Sequence, residues 1–105
     1  MPTDKLHKRA EHIERTLEVL GDKWTPLILN DLARGGLCFG QLENSCDGIS
    51  PRTLSQRLDK LEEEGVVSRH MYCERPPRYR YHLTPKGKEL QTVLNRMAAW
   101  GARYQ

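Results

Sequence analysis

One face of a predicted helix that begins at Ser50 carries side chains with several hydrogen-bond donors and acceptors. Leu54, Leu58 and Leu61 recur every three or four residues and are predicted to pack inward. The other positions bear Ser50, Pro51, Arg52, Thr53, Ser55, Gln56, Arg57 and Lys60. Arginine can pair with guanine, glutamine with adenine, and serine or threonine with bases or phosphates, while a helix N-terminus favours a phosphate. A solvated polar face has the same composition, so this helix alone leaves both interpretations open.

Basic residues also flank two prolines later in the chain. Val66 to Tyr72 and Tyr79 to Leu83 predict two strands, and the Pro76-Pro77 pair predicts a loop tip because proline cannot continue the ladder. Arg75 and Arg78 are therefore expected on a stiff, protruding tip, where they could contact phosphates or a minor groove. Arg80 and His82 are predicted on the outward face of the hairpin. Either could serve only to keep that face soluble.

Five helical segments and this hairpin must position those residues. Ile13, Leu17 and Leu20 predict a first helix that ends at Gly21, and Asp22 or Thr25 is the expected N-cap of the second. A short amphipathic segment covers residues 39–46. Ser50-Pro51 and Thr84-Pro85 are typical of helix starts, and the glutamates at 62–64 are expected to be solvated. The sequence therefore predicts a mainly α fold with a small antiparallel β-hairpin, a winged helix-turn-helix.

Composition limits the class of protein. The 105 residues suit one domain, predicted at 10–105 after a polar, basic arm at 1–9, and a net charge of +3 favours an anionic partner. We see no membrane-spanning stretch or secretion signal, and three widely spaced cysteines form neither a disulfide framework nor a metal motif. The four histidines are scattered and no nucleophile motif is present. We therefore expect a cytoplasmic protein without cofactor or metal that is not an enzyme.

Several segments together resemble one family. They are residues 14–29 (ERTLEVLGDKWTPLIL), 39–42 (FGQL), 48–58 (GISPRTLSQRL), 61–65 (LEEEG), 76–81 (PPRYRY) and 83–87 (LTPKG). This pattern resembles HxlR-type bacterial transcriptional regulators, relatives of the MarR group. The resemblance implies a dimeric winged-helix repressor or activator that reads DNA through helix 50–64, with backbone or minor-groove contact from the wing at 73–80.

One departure from the family concerns its cysteine. Many members carry a Cys-Pro pair before the first helix, and some use that thiol as a redox sensor, but Glu11 and His12 stand at these positions here. We therefore expect no such switch. Cys38 and Cys46 are expected to be small buried hydrophobic residues. Cys73 is the cysteine we expect to be accessible, and a sensor role for it has no motif in its support.

The final helix bears more apolar surface than a small domain can bury internally. We predict a homodimer interface there, with help from the first helix, that consists of Ile13, Leu17, Leu90, Val93, Leu94, Met97, Trp100 and Tyr104. The alternative is that these residues cap the domain's own core. A two-fold dimer would read an inverted-repeat operator in double-stranded DNA. No polar cluster specifies a small-molecule effector, which stays unknown.

A rival interpretation is a winged-helix module that binds a protein and has lost DNA binding. A winged-helix domain that no longer binds DNA would be expected to lose the basic residues that contact it. The presence of Arg52, Gln56, Arg57, Arg75 and Arg78 therefore favours the DNA-binding interpretation.

Overall fold

The computed structural model describes residues 2–105, with side chains from residue 4 onward. The elements follow in the order α1 (Pro2–Leu20), α2 (Trp24–Leu32), α3 (Phe39–Ser45), α4 (Pro51–Glu63), β1 (Val67–Glu74), β2 (Pro77–Leu83) and α5 (Pro85–Arg103). The predicted mainly α fold with one antiparallel hairpin is confirmed. Each helix and the start of the hairpin contribute to one core, made of Val19, Leu20, Ile28, Leu29, Leu32, Leu42, Cys46, Ile49, Leu54, Leu58, Leu61, Val66, Val67 and Leu94.

The first helix begins earlier than predicted. Residues 2–9, expected as an arm, are the first two turns of α1, and residue 1 lies outside the described residues. Each residue added to an existing helix gains a backbone hydrogen bond, so polar residues extend it readily. Gly21 ends α1 as predicted: its N–H donates to the Leu17 carbonyl at 2.8 Å, and its φ of +68° then turns the following chain away from the helix axis.

The second helix is capped by Asp22. One carboxylate oxygen, Oδ1, accepts hydrogen bonds from the backbone N–H groups of Trp24 at 2.9 Å and Thr25 at 3.2 Å. Of the two residues expected to cap this helix, Asp22 therefore does so, and Thr25 lies buried in the first turn. The second Asp22 oxygen, Oδ2, is left for another partner.

The fourth helix begins as the sequence predicts. Ser50 Oγ accepts a hydrogen bond from the Thr53 N–H at 3.1 Å, and Pro51 is the first helical residue. Leu54, Leu58 and Leu61 are at most 1% exposed. The apolar side of α4 is thus fully covered, which turns its polar side away from the core.

The hairpin is longer than predicted. The two strands pair in register from Val67 opposite Leu83 to Glu74 opposite Pro77, with a bulge at Tyr72. Pro77 therefore begins β2 and is not part of the tip, since proline is tolerated at the first position of a strand. The turn consists of Arg75 and Pro76.

Two hydrogen bonds anchor the base of the hairpin to the segment between α2 and α3. The N–H of Leu37 donates to the Tyr81 carbonyl at 3.1 Å, and the N–H of Tyr81 donates to the Leu37 carbonyl at 2.8 Å. The tip of the hairpin consequently projects from a fixed base.

The last helix starts against the junction of α4 and β1. Thr84 Oγ1 accepts from the N–H of Gly87 at 3.1 Å and donates to the Gly65 carbonyl at 2.6 Å. The predicted Thr84-Pro85 helix start is therefore confirmed. Gly87 is buried there, directly against the Val66 carbonyl.

Candidate nucleic-acid interface

The N-terminal half of α4 presents an uncovered polar surface. Arg52, Ser55 and Gln56 are all exposed, and none of them has a side-chain hydrogen bond or ion pair within residues 4–105. Ser50 and Thr53 are occupied with each other, because the Ser50 hydroxyl also donates to Thr53 Oγ1 at 2.9 Å. This closes the first turn and leaves Arg52, Ser55 and Gln56 available to a partner.

The C-terminal half of α4 directs its cations to other parts of the chain. Arg57 Nε donates to Asp22 Oδ2, and Nη2 of the same guanidinium forms an ion pair with that oxygen. Lys60 Nζ donates to the backbone carbonyl of Glu18 at 2.7 Å. Composition alone grouped both residues with the DNA-contacting set, whereas the structure gives each a partner at the junction of α1 and α2.

The pKa of Asp22 reflects this network. Burial would raise the pKa of the carboxyl, but hydrogen bonds from Arg57 and from the N–H groups of Thr25 and Trp24 outweigh it. The pKa therefore lies below its ordinary value, and the carboxylate stays ionised beside the guanidinium.

The hairpin carries its arginines in exposed positions. Arg75 and Arg78 are exposed at and beside the turn, and Arg80 is exposed with its guanidinium 4.4 Å from the centre of the Tyr72 ring. This stacking is a cation–π contact and holds Arg80 on one face of the hairpin. His82 is half-buried, because it packs against the backbone of Gly36. It is therefore not the simple solubilising residue that the sequence allowed.

Two of the three glutamates at the end of α4 are not simply solvated, which corrects the sequence analysis, whereas Glu63 is exposed as expected. Glu64 accepts hydrogen bonds from Arg15 of α1 at 2.5 and 3.5 Å, and Glu62 lies 3.7 Å from Arg69 of β1. The hydrogen bond from Arg15 holds the pKa of Glu64 below its ordinary value. These acids attach α4 to its neighbours.

The apolar residues of α1 and α5 divide into two groups. Leu94 is buried in the domain's own core and Leu90 packs against it, because both lie on the face of α5 turned inward. Six of the residues predicted for a dimer interface remain exposed by 41–68%: Ile13, Leu17, Val93, Met97, Trp100 and Tyr104. We call these six the apolar stripe. Leu94 is thereby corrected from interface to core, whereas the interface role of the half-buried Leu90 stays a prediction.

The three cysteines differ in environment. Cys46 is 2% exposed, and burial, with the nearby Asp31 carboxylate, raises the pKa of its thiol to about 11. Cys38 and Cys73 are half-buried. The Cys38 thiol donates to Gln41 Oε1 at 3.2 Å at the start of α3.

Sequence reasoning missed Asp22 as a residue of this site. It was expected only as a helix cap, and its pairing with Arg57 spans 35 residues of sequence. Tyr72 was likewise treated only as a strand residue, although it supports Arg80. No local pattern could have indicated either contact, since both depend on how separate elements pack.

Residues 2–105 contain neither a cluster of metal ligands nor a membrane-spanning helix. No group of three or more histidine, cysteine, aspartate or glutamate side chains there is arranged to bind a metal ion. Nor does that part of the chain contain a helix of sufficient length and apolar character to cross a membrane.

A short helix, a turn, a second helix with a free polar face and an adjoining arginine-bearing hairpin define a winged helix-turn-helix protein. The family model for HxlR-like helix-turn-helix proteins matches residues 19–105, and the chain belongs to that family. Members of this class are transcriptional regulators that bind DNA, not enzymes. This chain is therefore a transcriptional regulator with a helix-turn-helix fold.

Individual relatives agree with this assignment. The chain is 40% identical over 90 residues to the HTH-type transcriptional regulator sll1512 of Synechocystis, covering 86% of this chain and 67% of that protein. It is 37% identical to YtcD of Bacillus subtilis over 92 residues, or 88% of this chain and 73% of YtcD. The YtcD crystal structure superposes with a TM-score of 0.83, covering 88% of this chain and 94% of that one. A MarR-family regulator structure from Enterococcus faecalis gives a TM-score of 0.82 at 34% identity, covering 90% and 86%.

Proposed function

We propose that this regulator binds an inverted-repeat operator in double-stranded DNA as a homodimer, with α4 in the major groove and the wing at 73–80 beside it. The observation that carries the proposal is the exposed trio of Arg52, Ser55 and Gln56 on the outer side of a helix whose inner side is fully buried. A major groove about 12 Å wide accepts such a helix.

Each part of the surface has its own role in this proposal. Arg52 and Gln56 read bases, because their side chains offer paired donors and acceptors. Ser50, Pro51 and Thr53 form the capped helix start, whose positive dipole end faces a phosphate, and the free Ser55 hydroxyl donates to that phosphate. The wing residues Arg75, Arg78 and Arg80 contact phosphates or the minor groove. The N-terminal end of α4 thus specifies the sequence, and the wing adds affinity.

The apolar stripe supports the dimer. Trp100 and Tyr104, 68% and 60% exposed, pack together with ring centres 5.3 Å apart on the surface of α5. Large exposed apolar surfaces of this kind mark protein interfaces. A second copy packed on the stripe would place two α4 helices on one face of DNA, roughly 34 Å or a multiple of it apart.

The DNA-binding part is tested by selecting bound duplexes from a random pool and measuring variants on the resulting consensus. Arg52→Ala should cost about 1–3 kcal/mol of binding free energy and relax specificity at one position. Arg78→Ala should weaken binding to all sequences alike and should reduce the slope of log affinity against log salt concentration by about one. Arg96→Ala, an exposed arginine on α5, is the charge-matched control and should change neither. Equal losses for Arg52→Ala on specific and random duplexes would contradict base reading.

The dimer is tested by sedimentation. Trp100→Asp should give monomers, since it places a charge in the apolar stripe. Asn95→Asp makes the same change of charge at an exposed position elsewhere on α5 and should leave the dimer intact. A dimer that persists in Trp100→Asp would locate the interface on another surface.

The protein-binding alternative gives a different result in the same assays. The proposal is supported if DNA affinity falls steeply with salt concentration. The slope of log affinity against log salt concentration should then be about 0.9 for each phosphate neutralised. Weak binding that is insensitive to salt, with no consensus selected, would favour a protein partner.

A further inference from the structure

We propose that Arg57 and Lys60 are positioning residues that set the orientation of α4 relative to α1 and α2, and that Asp22 is the partner on which this orientation depends. The inference rests on the proposed function, because it concerns how the DNA-reading helix is held. It separates the basic residues of α4 into a group that contacts DNA and a group that does not.

Asp22 joins two elements through its two carboxylate oxygens. Oδ1 accepts the backbone N–H groups of Trp24 and Thr25 at the start of α2, while Oδ2 accepts the Nε–H of Arg57 in the middle of α4 and forms an ion pair with its Nη2. Both side chains are about one-third exposed, at 32% and 30%. One carboxylate therefore holds α4 to the first turn of α2.

Two more contacts continue along the same side of α4. Lys60 Nζ donates to the Glu18 carbonyl at 2.7 Å in the last turn of α1, and Glu64 accepts from Arg15 one turn earlier in α1. Residues 57, 60 and 64 follow the spacing of neighbours on one helix face. The three contacts thus form a continuous line between α4 and the junction of α1 and α2.

The line ends on a helix that carries part of the apolar stripe. Ile13 and Leu17 of α1 are 52% and 59% exposed. If α1 takes part in the dimer, the distance and angle between the two α4 helices depend on how α4 is held to α1. Loss of the Asp22–Arg57 contact should therefore disturb operator binding without removing a contact to DNA.

The test compares Arg57→Gln, Asp22→Asn and the double variant on the selected operator over a range of salt concentrations. Asn at position 22 keeps an oxygen to cap α2 but loses the charge. We expect each single variant to raise Kd about tenfold, as loss of a charge-assisted hydrogen bond predicts. The double variant should be no worse than Arg57→Gln alone, and the salt slope should not change.

A phosphate contact by Arg57 would give the opposite pattern. Arg57→Gln would then reduce the salt slope by about 0.9. Asp22→Asn would leave affinity unchanged or improve it, because it frees the guanidinium and removes a negative charge. Either result would overturn the inference.

Operators with altered half-site spacing distinguish positioning from a general loss of stability. Wild-type protein should lose affinity sharply when one base pair is inserted between the half-sites. Arg57→Gln and Asp22→Asn should discriminate less, whereas a smaller folded fraction would weaken all spacings equally and would overturn the inference. Circular dichroism at the assay temperature checks folding, and Arg57→Lys, which keeps the charge, should lie between wild type and Arg57→Gln.

The two proposals fail in different ways. If wild-type protein binds no duplex with salt-dependent affinity, the proposed function fails and this inference fails with it. If wild type binds its consensus but Asp22→Asn behaves like wild type at every spacing, the inference alone fails.

Discussion

Helix propensity predicts that Gly87→Ala stabilises the protein, whereas the structure predicts that this substitution destabilises it. It lies in the first turn of α5, and a Cβ added there would be 2.2 Å from the Val66 carbonyl oxygen and 3.2 Å from the carbonyl carbon. That oxygen distance is about 1 Å shorter than even a close C–H···O contact of about 3.3 Å. Because the obstructing atom belongs to the backbone, α5 or the start of β1 must move.

The magnitude follows from two opposing contributions. Overpacking a buried site costs about 1–3 kcal/mol, and a clash with backbone belongs in the upper part of that range. Alanine in place of glycine returns up to about 1 kcal/mol of helix propensity. We therefore expect Gly87→Ala to lower the free energy of unfolding by about 1–2 kcal/mol and Tm by about 4–15 °C.

Gly101 is the matched control on the same helix. A Cβ at Gly101 meets nothing within 4 Å, so Gly101→Ala should raise stability by up to about 1 kcal/mol. Thermal unfolding of wild type, Gly87→Ala and Gly101→Ala tests both predicted changes in stability. All three are measured at one protein concentration, because dimerisation would make Tm depend on concentration. A Tm for Gly87→Ala at or above that of wild type would refute the close approach of α5 to Val66.

Three further predictions concern helix starts and titrating groups. Ser50→Ala should lower the free energy of unfolding, measured by urea denaturation, by about 1 kcal/mol, because it removes the N-cap of α4. Ser55→Ala, at an exposed position on the same helix, should not, and equal effects of the two variants would contradict the capping role of Ser50. The burial of Cys46 and its pKa of about 11 predict that its thiol reacts with a disulfide reagent only after unfolding, while the half-buried Cys73 reacts in the native state. Mass spectrometry identifies the modified cysteine, and comparable reaction rates of the two thiols in the native protein would contradict the burial of Cys46. Because the pKa of Asp22 is lowered by folding, its carboxylate stabilises the fold above about pH 4, and this stability is lost as pH falls through the pKa of the folded state. The free energy of unfolding of wild type should exceed that of Asp22→Asn by less than about 1 kcal/mol for this partly exposed pair, and the difference should disappear in acid. A difference that is independent of pH would contradict this prediction.

The sequence predicted those features of the fold that local chemistry determines. Ser50-Pro51 and Thr84-Pro85 start helices where expected, and Gly21 ends one. These predictions succeed because caps and breakers act on the backbone within a few residues. The start of α1 was missed although Pro2 and Asp4 are typical of a helix start, because the polar, basic composition of residues 1–9 was interpreted as an arm.

The roles of individual charged residues on α4 were less predictable. Arg52 and Arg57 are the same residue type, yet Arg52 is exposed and Arg57 is bound to Asp22. Periodicity places a residue on one side of a helix but does not say which other element packs beside it. Glu62 and Glu64 show the same limit, since Arg69 of β1 and Arg15 of α1 contact them.

The start of α5 shows why the three functional parts of this protein are linked in structure. Lys86 Nζ donates to the Glu64 carbonyl at 2.6 Å, and Thr84 Oγ1 donates to the Gly65 carbonyl at 2.6 Å. These two contacts, with Gly87 against Val66, join the end of α4, the base of the hairpin and the beginning of α5 within a few residues. Because α5 carries most of the apolar stripe, the proposed dimer helix and DNA-reading helix share this junction as well as the contacts of α4 with α1. Two separate attachments restrict the rotation of α4 more than either one alone, which is what a fixed distance between two half-sites requires.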